Sequence, residues 1–501
     1  MKLTICQKQS FLLLALFCCT LACTDVEEEL LDTTTFEEHF DDSIDFISAA
    51  GLAYRYLYFQ MAHNGYFMLQ EVSSDEAIIV ARGFDWTDVE WRNLHQHNYQ
   101  DQDFYLSSFW SDIYFAISSC NRIIDNFERS TNPEKNRFIA EVKILRALYY
   151  TWLMDVFGNV PIITSPTPEA EPEQASRIEV FNFIEQEILN NISLLDKSRS
   201  PATYAKMDYY AAQALLSSLY LNAEVYTGTP QWEKAIDACD AIINSGFFEL
   251  ENNFFDNFKS TNEGSIENIF VIPFESGKAN GFNLHMMTLH PSSQQTFNLN
   301  SQPWNGYATL SEFYDSFEEQ DIRKGGFFVG PQYTVSGQPL IDPFAEDEDP
   351  DGPQVNFTPN INFPSTLRQD GIRIGKYEIP LGANIDLNND FPLFRYGEIL
   401  LNKAEALWRL DSSSPEALVL TNLIRSRAGM ADFESLTAEI LLAERGRELS
   451  FECKRRIDLI RFSAFGNEWL FKPVSDPCKT IFPIPFIQLA NNSKLSQNPC
   501  Y

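Results

Sequence analysis

Positive charge is what this sequence has least of. Its 501 residues hold 37 Lys and Arg against 70 Asp and Glu, a formal net charge of −33. A surface of that sign repels phosphates, which excludes DNA and RNA as ligands. It also keeps the folded body off anionic lipid headgroups, so any membrane attachment needs a separate device. Long apolar runs are missing too. After the first 22 residues no stretch reaches the roughly 18 uninterrupted apolar residues of a membrane-spanning helix. There is no nucleophile elbow, no Walker loop and no H-E-x-x-H zinc-protease motif. A glycosidase needs two carboxylates at a fixed separation in a cleft, and nothing in the sequence marks such a pair. The expectation is a binding protein without a cofactor or a catalytic metal. Disulfide scaffolding is absent as well. Beyond position 23 the cysteines are Cys120, Cys239, Cys453, Cys478 and Cys500, scattered and odd in number. Buried small hydrophobes are expected, with a Cys478–Cys500 bridge the alternative that an oxidising compartment allows.

What is present begins at the N-terminus. Lys2 and Lys8 precede FLLLALFCCTL at 11–21, an apolar run too short to cross a bilayer and of the length of a secretory h-region. Thr20-Leu21-Ala22-Cys23 closes it in the manner of a bacterial lipobox, with Thr20 where Leu is usual. This predicts a signal peptide over 1–22 and acylation of Cys23. Two or more acyl chains hold a protein firmly, at about 0.8 kcal/mol per buried CH₂. The acidic tether at 23–36, with Asp25, Glu27, Glu28 and Glu29, resembles the signal that sends such lipoproteins to the outer face of the outer membrane.

The rest, 37–501, reads as mainly α. Apolar residues at spacings of three and four predict helices over 38–64, 104–128, 137–157 and 178–195. Gly158 and Pro161 stop the third. Residues 208–246 read as a helical hairpin turning at Gly228-Thr229-Pro230, similar to a tetratricopeptide unit. A second pair is predicted at 393–410 and 415–428, and a final helix at 437–462. On that helix Glu444, Arg445, Arg447, Glu448, Arg455, Arg456, Asp458 and Arg461 are spaced to form an ion-pair lattice. About 247–392 the character changes: Gly, Pro, Asn and Asp punctuate short apolar runs. So long an irregular stretch on a helical scaffold is usually functional.

The motifs, in order, are SSDEAIIVARGFDW at 73–86, LRALYYTWLMDVFGNVPI at 145–162, the hairpin at 208–246, PWNGY at 303–307, FRYGEILLNKAEAL at 394–407, IRSRAG at 424–429, ERGRELSFECKRRIDLIRF at 444–462 and the ending FPIP…SQNPCY. Together they resemble the SusD/RagB family of outer-membrane nutrient-binding lipoproteins over nearly the whole mature chain. The resemblance implies a scaffold of tetratricopeptide-like helix pairs with a loop-rich ligand region. It also implies a cell-surface lid on a SusC-like TonB-dependent transporter, which captures oligosaccharides and does no chemistry on them. A peptide-binding lid of the same architecture and a transporter adaptor without a ligand are the alternatives.

The aromatic share is 14%, with 41 Phe and 20 Tyr. Sugars are held by flat apolar faces and by polar groups that pair with hydroxyls. Two stretches mix these: Arg82 through Trp86 and Trp91 to Tyr99 and Asp101, and Trp304-Asn305-Gly306-Tyr307. The family pattern points to Arg82 and Tyr99, the latter standing where relatives often carry Trp. The ligand-binding candidates are Arg82, Tyr99, Asp101, Trp304, Asn305 and Tyr307, against the commoner use of Trp as a loop anchor. His95-x-His97 is read as loop hydrogen bonding and not as a metal site. Asp347, Asp349, Asp351 and Gly352 match the start of a calcium loop, but Thr358 stands where such a loop needs a bidentate Glu.

Overall fold

The computed structural model describes residues 43–83, 85–345 and 352–501. The predicted leader, Cys23 and its tether lie outside the described residues, as do the three aspartates of the 347–352 loop. The helices that build the scaffold are α1 (Ser43–Gln60), α2 (Tyr66–Glu71), α3 (Val89–His95), α4 (Phe104–Arg129), α5 (Lys135–Phe157), α6 (Arg177–Asn191), α7 (Tyr209–Leu221), α8 (Trp232–Ile243), α9 (Tyr396–Leu410), α10 (Pro415–Arg427), α11 (Ala438–Leu449) and α12 (Arg455–Arg461). Their ends follow local chemistry. Ser176 and Glu179 form a reciprocal capping box on α6, Asp208 caps α7, and Ser414 with Pro415 opens α10. Gly158 ends α5 with φ +72°, a conformation that costs glycine nothing.

Packing follows the apolar stripes. In α4 the predicted face is buried: Phe109, Trp110, Ile113, Ile117, Cys120, Ile123 and Ile124. Each such large side chain contributes about 2 kcal/mol relative to exposure. The helix α4 packs on α1 and α5, and α5 on α6; α8 packs between α7 and α9, and α9 on α10. One large core runs through these helices, and a second lies among Leu400, Leu401, Ala404, Ala417, Ile424 and Leu441. Cys120, Cys239 and Cys453 are buried in the large core, while Cys478 and Cys500 form a disulfide. Among the described residues, no helix is long and apolar enough to cross a membrane.

The loop-rich stretch is tied to the helices by short antiparallel pairings. Strand β1 (Ala77–Ile79) pairs with β3 (Tyr307–Thr309), and β2 (Asn268–Ile272) with β5 (Phe391–Arg395). Strand β4 (Arg373–Ile374) lies beside β3 through the Thr309–Ile372 bridge.

Two helix expectations need correction. Leu393 to Arg395 belong to β5, so the helix expected from 393 starts at Tyr396. The helix expected over 437–462 is two helices, α11 and α12. Between them Phe451 and Cys453 take φ +56° and +61°. Their N–H groups bond Glu76 Oε2 at 2.9 Å and Glu71 Oε1 at 2.7 Å, and Lys376 Nζ bonds Ser450 O at 2.6 Å. Buried partners from distant sequence replace the helical hydrogen bonds, which no local pattern reveals. A short helix, Phe486–Asn491, also follows, so α12 is not the last.

The ion-pair lattice forms, but it is buried and crosses elements. Arg395, fully buried, meets Glu267 and Glu448 at 2.6 Å and Glu452 at 2.7 Å. Arg461 bridges Glu405 and Asp458, each at 2.7 Å. A Cβ at Gly397 would lie 2.5 Å from Arg395 Nη1, so only glycine lets the guanidinium pass.

Candidate functional site: an aromatic cavity with a clamped arginine

Beside the β1–β3 pair the chain leaves an open cavity of about 800 Å³. Its walls include Trp86, Trp91, Tyr105, Trp304, Phe344 and Arg368, with His63, Asp85 and Asp88. Trp86 and Trp91 meet edge to face with ring centres 5.7 Å apart, and Trp91 and Tyr105 lie at 4.4 Å. Trp304 packs edge-on to His63 at 5.3 Å. Trp86 is held by its indole N–H, which donates to Trp304 O at 2.6 Å. Its ring needs Gly306: a Cβ there would come within 2.9 Å of Trp86 Cε2. The backbone N–H groups of Trp304 and Gly306 bond Met286 O and Met287 O, each at 2.6 Å, which seats the turn. Phe344 is 70% exposed at the rim.

Arg368 is the most constrained polar group of the wall. Its carbonyl accepts three side-chain donors: Asn305 Nδ2 at 2.9 Å, Arg373 Nη2 at 3.0 Å and Arg82 Nη1 at 3.4 Å. Its own Nε donates to Asp342 Oδ2 at 2.8 Å. The same oxygen lies 3.1 Å from His290 Nε2, while His290 Nδ1 accepts the Ser292 N–H. That second bond fixes the proton on Nε2. Burial holds His290 down at about 4, so it is neutral, whereas the His290 and Arg368 hydrogen bonds outweigh burial and hold Asp342 below the usual carboxylate range. A second hollow, about 400 Å³, lies between α4 and the C-terminal helix; its wall is apolar with amides and hydroxyls and, among the described residues, carries no charged side chain.

The six sequence candidates separate. Trp304 alone lines the cavity. Arg82 and Asn305 are buried, 2% exposed each; both bond the Arg368 carbonyl, and the Arg82 backbone also pairs with that of Asp85. Burial lowers the Arg82 guanidinium to about 10, and its Nη1 also bonds Leu367 O at 2.6 Å. Tyr307 is fully buried and donates its hydroxyl to His63 O at 3.2 Å. Tyr99 is buried with its ring 4.4 Å from Phe482, edge to face. Asp101 is half-buried; its carbonyl accepts the Phe486 N–H at 2.7 Å, and it does not line the cavity. Ring stacking on Tyr99 or Tyr307 is therefore blocked here by core packing. His95 and His97 are buried and hydrogen-bonded to Leu470 O, Ser475 and Ser73 O, as the loop reading expects.

Sequence reasoning missed Arg368, Tyr105 and Phe344. Arg368 stands in LRQDGIR at 367–373, whose two arginines and aspartate were the available signal.

The model of the family described as "SusD family" matches residues 382–473, and that described as "Starch-binding associating with outer membrane" matches 33–221. The starch-binding protein SusD of Bacteroides thetaiotaomicron is 24% identical over 436 residues, 77% of each chain. SusD-like protein P2 of Formosa agariphila is 22% identical, over 98% of this chain and 99% of its own. Among solved structures, surface glycan-binding protein A from Bacteroides thetaiotaomicron superposes with a TM-score of 0.76 at 21% identity, over 92% of this chain and all 100% of its own. A SusD superfamily protein from Parabacteroides distasonis gives 0.75 at 21%, over 91% and 99%. The glycan-binding protein A structure in complex with laminarihexaose gives 0.74 at 22%, over 91% and 99%.

Proposed function

The chain is a SusD-like protein of the SusD/RagB family, and from that premise we propose that it binds oligosaccharides in the aromatic cavity and delivers them to a SusC-like TonB-dependent transporter. The observation that carries this reading is the wall itself. Trp86, Trp91, Tyr105 and Trp304 offer flat faces, and Arg368, Asp85 and Asp88 stand where hydroxyls of a stacked sugar need partners. A cavity of about 800 Å³ suits a few sugar residues. The names of the relatives support a glycan and an outer-membrane setting. Binding, with no chemistry on the ligand, is the whole of the role assigned to the site. Arg82, Asn305 and Tyr307 serve it from behind, as positioning residues. The lipid on Cys23 keeps the chain at the outer membrane, and the packed helices α7 to α10 provide the body that docks the transporter.

Calorimetry against a panel of plant and host glycans tests the binding reading, with peptides as the second arm. At least one glycan is expected to bind the wild type and to lose affinity in Trp304→Ala. Binding of peptides alone, or of no ligand, would overturn it. Cys23→Ala is expected to release a folded, glycan-binding chain from the outer-membrane fraction. Retention of that variant in cells lacking the transporter would refute the anchor.

A further inference from the structure

We propose that the ligand of the aromatic cavity is an uncharged oligosaccharide, and that Asp85 and Asp88 make the site reject carboxylated and sulfated glycans. This rests on the glycan reading above and adds the chemical class of the sugar. Asp85 and Asp88 line the cavity and are exposed, and neither has a salt-bridge partner among the described residues. Among the described residues Arg368 is the only cationic side chain lining it, and its charge is matched by Asp342 at 2.8 Å. The two histidines at hand, His63 in the wall and His290 behind Asp342, are held uncharged near neutral pH by burial. The wall therefore carries two unmatched negative charges, on a chain whose net charge is −33.

An incoming sulfate or uronate enters a cavity that both carboxylates line, and the repulsion between exposed charges is screened over roughly 8 Å at physiological salt. Neutral pyranoses meet the same groups as hydrogen-bond acceptors. Hydroxyl O–H groups donate to Asp85 and Asp88, and the carboxylates, acceptor-only when ionised, are suited to paired hydroxyls. The arrangement attracts neutral sugars and repels anionic ones with the same two residues.

The experiment titrates the purified full chain with matched neutral and anionic oligosaccharides, such as galacto-oligosaccharides and oligogalacturonates, and neutral and sulfated forms of one glucan. The wild type and the Asp85→Asn/Asp88→Asn double variant are compared at low and at physiological salt, with Trp304→Ala reporting the site. Neutral ligands alone are expected to bind the wild type, and the double variant should gain roughly tenfold for the anionic member at low salt, less as salt rises. Trp304-dependent binding of the anionic member as tight as its neutral match, with no gain in the double variant, overturns this inference and leaves the glycan reading standing. Absence of any Trp304-dependent glycan binding overturns both.

Discussion

Two arginines show how differently this chain uses charge in its two halves. Arg395, at the strand-to-helix junction of the helical half, is fully buried and turns every nitrogen inward onto Glu267, Glu448 and Glu452. Arg368, in the loop-rich half, is bonded to Asp342 through Nε, and its side chain stays 28% exposed on the cavity wall. In the first case the scaffold surrounds the charge; in the second it grips the backbone beneath and presents the side chain. A buried charge network specifies one packing, because any partner left alone is costly. A half-exposed arginine with an anchored backbone is pre-organised for a ligand.

The larger effect is expected where the cation is buried. Arg395→Met should destabilise the chain by about 3–5 kcal/mol, because three interior carboxylates lose the cation they share and keep only Arg427, Arg323 and Lys376 among them. Urea unfolding followed by circular dichroism reads this. Arg368→Met, by contrast, should leave stability within about 1 kcal/mol. Equal losses at the two positions would show that the halves do not differ as described.

The lattice also has a place where charge is unmatched, and it should respond to pH. Glu71 and Glu76 are buried side by side at the α11–α12 turn, and burial pushes Glu71 up to about 7 and Glu76 well above the carboxylate range. Folded, the pair keeps protons that the unfolded chain releases above about 4.5. The pair's contribution to stability is therefore fully present below that pH and is lost as pH rises through about 7. Glu76→Gln, which keeps the Phe451 N–H acceptor and carries no charge, should flatten this slope and raise Tm more at pH 8 than at pH 5. A Tm gain of the same size at both pH values would disprove the retained protons.

Much of the scaffold was legible because helices announce themselves locally. The stripe of α4, the stop at Gly158 and the turn at Gly228 are all nearest-neighbour signals. The break at Phe451 and Cys453 was not legible, since its cause is two glutamates 375 and 382 positions away in sequence and a lysine from the loop region. The cavity was legible in part. PWNGY pointed to Trp304, which faces the cavity, and to Asn305 and Tyr307, which face the interior. In an irregular stretch no periodicity says which neighbour points out, so composition locates the region and not the contact. Arg368 was hidden for the same reason, its role arising from donors at 82, 305 and 373 that meet only in three dimensions.

At the cavity the larger effect belongs to the ring. Trp304→Ala should weaken glycan binding at least about tenfold, or about 1.4 kcal/mol, with cooperative unfolding retained. Unchanged affinity would move the site elsewhere.

The smallest effect concerns the grip on Arg368, and glycine reads it more cleanly than alanine. Asn305 sits at φ +61° with its amide bonded to the Arg368 carbonyl. In Asn305→Ala two things change together: the amide is lost, and a side chain without polar atoms is left in the left-handed region at a cost of about 1 kcal/mol. Asn305→Gly removes the amide and relaxes the backbone, so the lost hydrogen bond, about 1 kcal/mol, is largely offset in stability. If the clamp matters to binding, both variants should lose affinity by the same few-fold factor, while only the alanine variant melts clearly lower. Calorimetry and thermal unfolding on the same preparations separate the outcomes. Affinity that tracks Tm would mean Asn305 merely supports the fold. Affinity that falls equally in both, whatever Tm does, would mean the loop-rich half holds its arginine in place for the ligand, which is what sets it apart from Arg395.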